Sequence, residues 1–280
     1  MKRFALCLSV AVTLVVPSCA LRGDSAGSAT EPARRAQENV VTNRTGSMRL
    51  LSPAMPGEAL RFSAGGEALL GGVGAEYRVD GVVVRTGEWT AISPTLVSND
   101  WQFVQFKLPV VGDAAIQFIE RSVVCVEPDL MVVMDEISLP QPELAVERRY
   151  WFAGAPTHDS ARDEWSMQSG MAGVTARFFS SPSAKLVANA GEPSCVAFSI
   201  VSGTSTVYQM AILVAHSGSA KRSLAFKMLE SDSAIGVRVH RDGLPTLVAF
   251  RKGTTTGDAV LTGLKFNQPV AVDVFKPKRK

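Results

Sequence analysis

From about residue 46 onward the chain is written as short β-branched and aromatic runs, broken by turn residues at the eight-to-twelve-residue spacing of successive strands. No long stretch shows the 3.6-residue apolar period of an amphipathic helix. Two hairpins are almost spelled out. In "EYRVDGVVVR", Asp80-Gly81 stands between two strands, and Asp-Gly suits a type I′ turn, whose two central residues both take positive φ. "IGVRVHRDGLPTLVAFR" repeats the device with Asp242-Gly243. In "GVRVHR" alternation sends Val237 and Val239 to one face, Arg238 and His240 to the other. In "VYQMAILV" the run becomes fully apolar after Gln209, as a strand covered on both faces must be. The Gly-rich "GEALLGGVG" is followed by no helix pattern and reads as turns between strands. The expected fold is therefore all-β, a large antiparallel two-sheet β-sandwich over residues 46–275.

"ERSVVCVEPDLMVVMDEI" reads as a hairpin over the turn Glu127-Pro128-Asp129. Val124 and Val126 share one face, Val123 and Cys125 the other. The strand ends in Asp135-Glu136. Adjacent strand residues point opposite ways, so these two carboxylates cannot converge on one site as a glycosidase pair does.

The N-terminus has a different character. Lys2 and Arg3 precede an apolar run of thirteen residues, Phe4 to Val16, and then Pro17-Ser18-Cys19-Ala20. The run is too short to span a bilayer and has the layout of a secretory signal over residues 1–20. Two cuts fit. One falls after Ala20; the other falls before Cys19, whose thiol would then carry lipid and tether the protein to a membrane. The expectation is an exported protein of the periplasm or cell envelope, lipid-anchored in the second case. Residues 21–45, rich in Ala, Gly, Ser and charge, read as a flexible linker. Of four cysteines, only Cys125 and Cys195 fall in strand-like runs, and buried thiols are the expected state.

Formal net charge is +3, and setting aside the basic residues of the two ends (Lys2, Arg3, Lys276, Lys278, Arg279, Lys280) leaves the body near −3. Residues 276–280 read as a solvated basic tail. No basic stripe with interleaved aromatics argues for nucleic acid. His158, His216 and His240 have no metal-ligand spacing, so no metal is expected. No nucleophile-elbow, P-loop or dinucleotide signature occurs, and no cofactor is expected.

"ERRYWF" is the best binding candidate. Alternation sends Arg149 and Trp151 to one face, and Arg148, Tyr150 and Phe152 to the other. With that first face open, Trp151 can stack on a sugar ring while Arg149 pairs a carboxylate or sulfate. The alternative is that Trp151 fills the sandwich and Arg149 reaches a sheet rim.

The run from Arg121 to Asp135, the later Trp151, Gly112-Asp113 in "VVGDAAIQF" and the segment from Gly72 to Pro94 together resemble the C-terminal β-sandwich region of heparinase II/III-type polysaccharide lyases. The resemblance covers about residues 48–250. It implies a polysaccharide-lyase-like sandwich and acidic polysaccharide as partner. In that family an α/α-toroid precedes the sandwich and supplies catalytic Tyr and His. Only a leader and a linker precede residue 46 here, so the reading is of a sandwich without the toroid. Some members hold zinc through a His-Asn motif, an Asp near Gly-Asp and a His after the Trp. Asp113 matches the second; no His-Asn occurs, and Gly154 stands at the third, so zinc is not carried over.

A lyase needs a base for the proton beside a uronate carboxylate and a group that neutralises that carboxylate. Tyr150, with Arg148 or Arg149, and His158 across a turn are the residues of this chain that carry such chemistry. The expected function is binding or organising acidic polysaccharide without catalysis. The alternatives are a polysaccharide lyase, alone or with a separate toroid subunit, and a structural envelope lipoprotein with no glycan partner.

Overall fold

The computed structural model describes residues 40–51, 59–71, 74–87, 89–111, 115–182, 185–187 (backbone), 193–201, 203–218 and 223–275. The leader, Cys19, most of the linker, Gly112-Asp113 and the basic tail lie outside the described residues.

Strands are numbered along the chain. The first layer holds two sheets. One is β1 (Val40–Thr42), β2 (Met48–Leu51), β3 (Arg61–Ala64) and β4 (Glu67–Leu70), in that order. The other contains β5 (Tyr77–Val79), β6 (Val82–Thr86), β10 (Val110–Val111), β13 (Ala145–Trp151), β17 (Lys185–Val187) and β18 (Cys195–Val201), ordered β10-β6-β5-β13-β18-β17. A bridge between Leu70 and Phe152 joins the two sheets.

The central layer comprises β7 (Thr90–Ala91), β8 (Leu96–Val97), β9 (Trp101–Leu108), β11 (Phe118–Val126), β12 (Leu130–Ser138), β14 (Thr157–Asp159), β15 (Glu164–Ser169), β16 (Ala172–Ser181) and β19 (Thr206–Ser217). Its order is β14-β15-β16-β19-β12-β11-β9-β7, with β8 also on β9. The third layer is β20 (Leu224–Glu230), β21 (Ala234–Arg241), β22 (Leu244–Arg251) and β25 (Val270–Val274). A hairpin of β23 (Ala259–Leu261) and β24 (Leu264–Phe266) completes the set. Every pairing is antiparallel.

Two cores explain the sequence texture. Val123, Cys125, Met131, Val133, Ala211 and Leu213 meet Leu50, Phe62, Tyr77, Val146 and Ile200 of the first layer. From the other face of the same strands, Val124, Val126, Val132, Met134, Ile212 and Val214 meet Ile235, Val237, Val239, Val248 and Phe250 of the third. All nine residues of β12 are consequently buried, which is why its run is apolar almost without interruption. The all-β antiparallel sandwich is what the chain forms, and the structure adds a third layer to it. The far side of that layer carries a smaller core of Ala234, Leu247, Ala249, Ala259 and Leu261, covered by the β23–β24 hairpin.

Both Asp-Gly turns form as their chemistry requires. Asp80 and Gly81 have φ of 48° and 80°, Asp242 and Gly243 of 52° and 83°. Cys125 and Cys195 are buried thiols and not a disulfide.

Two local expectations change. Glu67–Leu70, read as part of a turn, is strand β4. Gly65-Gly66 make the turn just before it, and Leu69 and Leu70 then bury into the core. Val40–Thr42, within the stretch read as linker, is strand β1. Val41 is buried, and Asn43 behind it ties the turn down: its Oδ1 accepts from Met48 N–H at 2.8 Å, and its Nδ2 donates to Pro128 O at 3.0 Å. A polar-looking stretch is thus held by its ladder to β2, by this amide side chain and by Arg44 N–H, which donates to Glu127 of the β11–β12 turn.

Candidate functional site

Cross-strand register places four polar residues in a row on the central sheet, facing the first layer. Arg121 lies opposite Asp135, Asp135 opposite Gln209, and Gln209 opposite Ser180. Arg121, Asp135 and Gln209 are buried there. Above them β13 points Val146, Arg148, Tyr150 and then Phe152 inward, and Tyr77 of β5 points the same way.

These residues form one network. Arg121 donates from Nε and Nη2 to the two oxygens of Asp135, each at 2.8 Å. Its Nη2 also reaches Glu76 Oε1 at 2.5 Å and Tyr77 Oη at 2.6 Å. The Tyr77 hydroxyl donates to Asp135 Oδ2. Arg148 Nη2 donates to Glu76 Oε1 at 3.2 Å, and its Nη1 lies 2.6 Å from Asp135 Oδ2, poorly aligned for a hydrogen bond but close in charge. The guanidiniums of Arg121 and Arg148 each lie 4.6 Å from an aromatic centre, Trp89 and Tyr150 respectively. Two cations meet two anions, so the cluster is neutral, and a neutral cluster is what a dry interior tolerates. Burial pushes the Asp135 carboxyl up, but Arg121 and then Arg148 outweigh it and hold the group below the usual carboxylate range. Burial pushes both the Tyr77 and Tyr150 phenols up.

Glu136 faces the opposite way, as alternation requires. It accepts Gly253 N–H at 3.1 Å, and burial pushes its carboxyl up. Asp135 and Glu136 therefore serve different layers and do not form a catalytic dyad.

At one end the network opens into a cavity of about 200 Å³. Arg148, Tyr150, Asp163, Arg177, Phe198 and Gln209 are among its lining residues. Tyr150 stacks on Phe178 at 4.0 Å, and Phe178 lies 5.1 Å from Phe198, giving the cavity an aromatic wall. Arg148 Nε, Arg177 Nε and Gln209 Oε1 are buried without a hydrogen-bond partner.

Arg149 and Trp151 share the outward face of the first layer, as alternation predicts, so Trp151 does not fill the sandwich. Arg149 is buried and ion-paired with Glu147 at 2.5 Å. Trp151 is half-buried; its indole N–H donates to Ala75 O at 3.3 Å, and its ring lies against Gly74, where a Cβ would come within 2.1 Å of it. Arg78 faces outward opposite Glu147, and Val83 is its partner on β6. Arg85, two residues along, pairs with Val111. Arg85, Val83 and Val111 are exposed.

The residues that could carry elimination chemistry are only partly brought together: Arg148 lies over the Tyr150 ring, and Arg149 does not join them. Tyr150 points inward and Arg149 outward, so the arginine beside Tyr150 is Arg148. His158 stacks on Trp165 at 4.2 Å and lies 3.4 Å from Asp163, whose other oxygen is 3.4 Å from Arg177. His216, at the end of β19, is half-buried and rests over Gly173. Sequence reasoning missed Glu76, Tyr77, Arg177 and Gln209. For Arg148 and Tyr77 a signal existed, since strand parity places each with inward apolar neighbours. For Arg177 and Gln209, which meet the cavity only through the folding of several strands, none did.

Solved structures share this fold. A heparinase III gene product matches with a TM-score of 0.59 at 14% identity, over 78% of this chain and 41% of that one. A crystal structure of heparinase III matches at 0.57 and 11% identity, over 78% and 42%. A mutant heparan sulfate lyase from Pedobacter heparinus matches at 0.54 and 10%, over 75% and 40%. The chain spans about two fifths of the length of these structures. No family model matches the chain, and no curated protein matches it. At such identities the likeness is one of fold, and it agrees with the resemblance carried by the Arg121–Asp135 hairpin and its flanking strands.

Proposed function

We propose that this chain is an exported sandwich that binds acidic polysaccharide without cleaving it. One observation carries the reading: Arg149 and Trp151 share an outward sheet face with Arg78 and Arg85, beside exposed Val83 and Val111. A face with an aromatic ring, aliphatic patches and the guanidiniums of Arg78 and Arg85 beside the Arg149–Glu147 pair suits a sulfated or carboxylated glycan, because rings stack on the apolar parts while arginine pairs the anions. The likeness to heparinases supports the same class of partner by fold analogy. Elimination needs a base and a carboxylate-neutralising group at one carbon. Tyr150 and Arg149 lie on opposite faces of β13; Arg148, the arginine beside Tyr150, is already paired with Asp135 and Glu76, and the Tyr150 phenol is raised by burial, away from the range of a base at neutral pH. This supports binding over catalysis.

The test is affinity electrophoresis of the purified protein through gels containing heparan-type chains or alginate. Retardation of the wild type, lost in a Trp151→Ala, Arg149→Ala double variant that is still folded by circular dichroism at the assay temperature, is the expected result. Equal mobility of the two proteins would sink the proposal. Absorbance of unsaturated uronate should stay flat on every uronate polymer; a rising signal would replace binding with lyase activity. Export with lipid on Cys19 is tested separately: Cys19→Ser should move the protein from the membrane fraction to the soluble fraction.

A further inference from the structure

We propose that the cavity beside Arg148 is a binding site for one small polyhydroxylated carboxylate, a sugar acid. The site lies on the inward face of β13, away from the outward face of the polysaccharide reading, and does not depend on it.

Orphaned polar atoms define the ligand. Buried polar groups are nearly always hydrogen-bonded, so each exception calls for an explanation. Four fall among the residues lining this one cavity; Arg148 Nη1 lies against Asp135, which leaves three for a ligand: Arg148 Nε, Arg177 Nε and Gln209 Oε1. Arg148 and Gln209 are 0% and 3% exposed. The first two are guanidinium donors, which bind a carboxylate more strongly than a neutral oxygen. The third is an amide acceptor and needs a donor, such as a hydroxyl. One ligand that satisfies all three must carry an anionic acceptor and a hydroxyl. Pure anions such as sulfate leave Gln209 unmet; neutral sugars use the two guanidiniums poorly.

Shape narrows the choice. At about 200 Å³ the cavity is smaller than the roughly 300–1,000 Å³ of sites for drug-sized ligands, and suits a single ring. Phe198 and Phe178 offer the apolar surface on which a pyranose face packs. Asp163, the one carboxylate in the lining, is engaged by Arg177 and His158. Arg148 is held from behind by Asp135 and Glu76, so its guanidinium is fixed in place before a ligand arrives.

The same chemistry has two sources, a free sugar acid or the terminal uronate of a chain. Isothermal titration calorimetry of the folded protein decides both questions. Glucuronate should bind, with glucose and inorganic sulfate each about tenfold weaker or worse. Arg177→Gln and Gln209→Leu, which leave the Arg121–Asp135 pair intact, should each weaken glucuronate about tenfold with an unchanged thermal midpoint, the loss of one charge-assisted or buried hydrogen bond. A tetrasaccharide ending in uronate that binds like the monomer assigns the site to chain ends; binding of the monomer alone assigns it to the free acid. No heat with glucuronate, equal affinity for glucose, or indifference to both substitutions would overturn the proposal. Because the readout is monomer binding, its failure leaves gel retardation by polymer untouched.

Discussion

Arg121 and Asp135 face each other across the β11–β12 hairpin and are joined through two parallel hydrogen bonds of 2.8 Å, both side chains fully buried. A pair of this kind fixes register, since a slip of one strand by one residue would turn its charge toward the apolar third layer and leave the other unpaired. It contributes less to net stability than its geometry suggests, because both groups were taken out of water. Removing one partner is a different matter. Asp135→Asn leaves Arg121 and Arg148 facing Glu76 alone, a net buried positive charge. The expected loss is about 3–5 kcal/mol in urea unfolding at pH 7. The double variant Arg121→Met, Asp135→Leu leaves Arg148 and Glu76 balanced and should lose less than Asp135→Asn.

The same pair sets an acid limit. The Asp135 carboxyl is held below its unfolded value of about 3.9, so its stabilising effect is complete above that pH and declines as pH falls toward the folded value. The gap in unfolding free energy between wild type and Asp135→Asn should therefore be constant from pH 5 to 7 and narrow below about pH 4. A gap that widened on acidification would contradict the geometry.

Glu136, one residue on, carries the opposite sign. Its carboxyl is raised by burial, so the folded protein favours the protonated form. That contribution is complete below the unfolded value of about 4.3 and is lost as pH rises through the folded value. Glu136→Gln keeps an oxygen for Gly253 N–H and removes the ionisation. The variant should unfold at a higher urea midpoint than wild type at pH 7, with the advantage vanishing near pH 4.

Tyr77 reads out the polar network. Its hydroxyl donates to Asp135 and accepts from Arg121 Nη2 at 2.6 Å, so Tyr77→Phe leaves two buried charged groups short of a partner. The expected cost is about 1–3 kcal/mol by chemical denaturation, with the ring packing unchanged. Indifference to the change would mean that water replaces the hydroxyl.

How much of this was legible in the sequence differs by length scale. Local chemistry was plain. The Asp80-Gly81 and Asp242-Gly243 turns and the opposite faces of Val123 and Val124 all follow from backbone preferences within a few residues. The apolar run of β19 showed that both its faces are covered, but the runs did not say that the second cover is a separate layer. That depends on β20 to β25 folding back, a pairing choice that alternation does not encode. The charge network is longer in reach still. Glu76 meets Arg121 across 45 residues, and nothing in "AEYRV" marks that glutamate as buried. The cavity is harder again, because Gln209 and Arg148 become neighbours only when two layers close.

Glycines test the layered packing directly. At Gly236 on β21 a Cβ would stand 2.3 Å from the Val248 carbonyl oxygen and 2.9 Å from Ala249 Cα, both backbone atoms of the next strand. Backbone within a four-stranded sheet cannot yield without breaking its ladder. At Gly173 on β16 the clash is also close, 2.2 Å, but with the imidazole of His216, a side chain that can rotate. Equal crowding on paper should therefore give unequal results. Gly236→Ala is expected to cost at least the roughly 1–3 kcal/mol of core overpacking, and to loosen the third layer first, seen as faster amide exchange in β20 to β22 than in β11 and β12. Gly173→Ala should cost less and leave exchange in the third layer unchanged. If the two variants lose the same stability, with exchange rising uniformly in both, the distinction between yielding side chain and unyielding backbone fails for this fold.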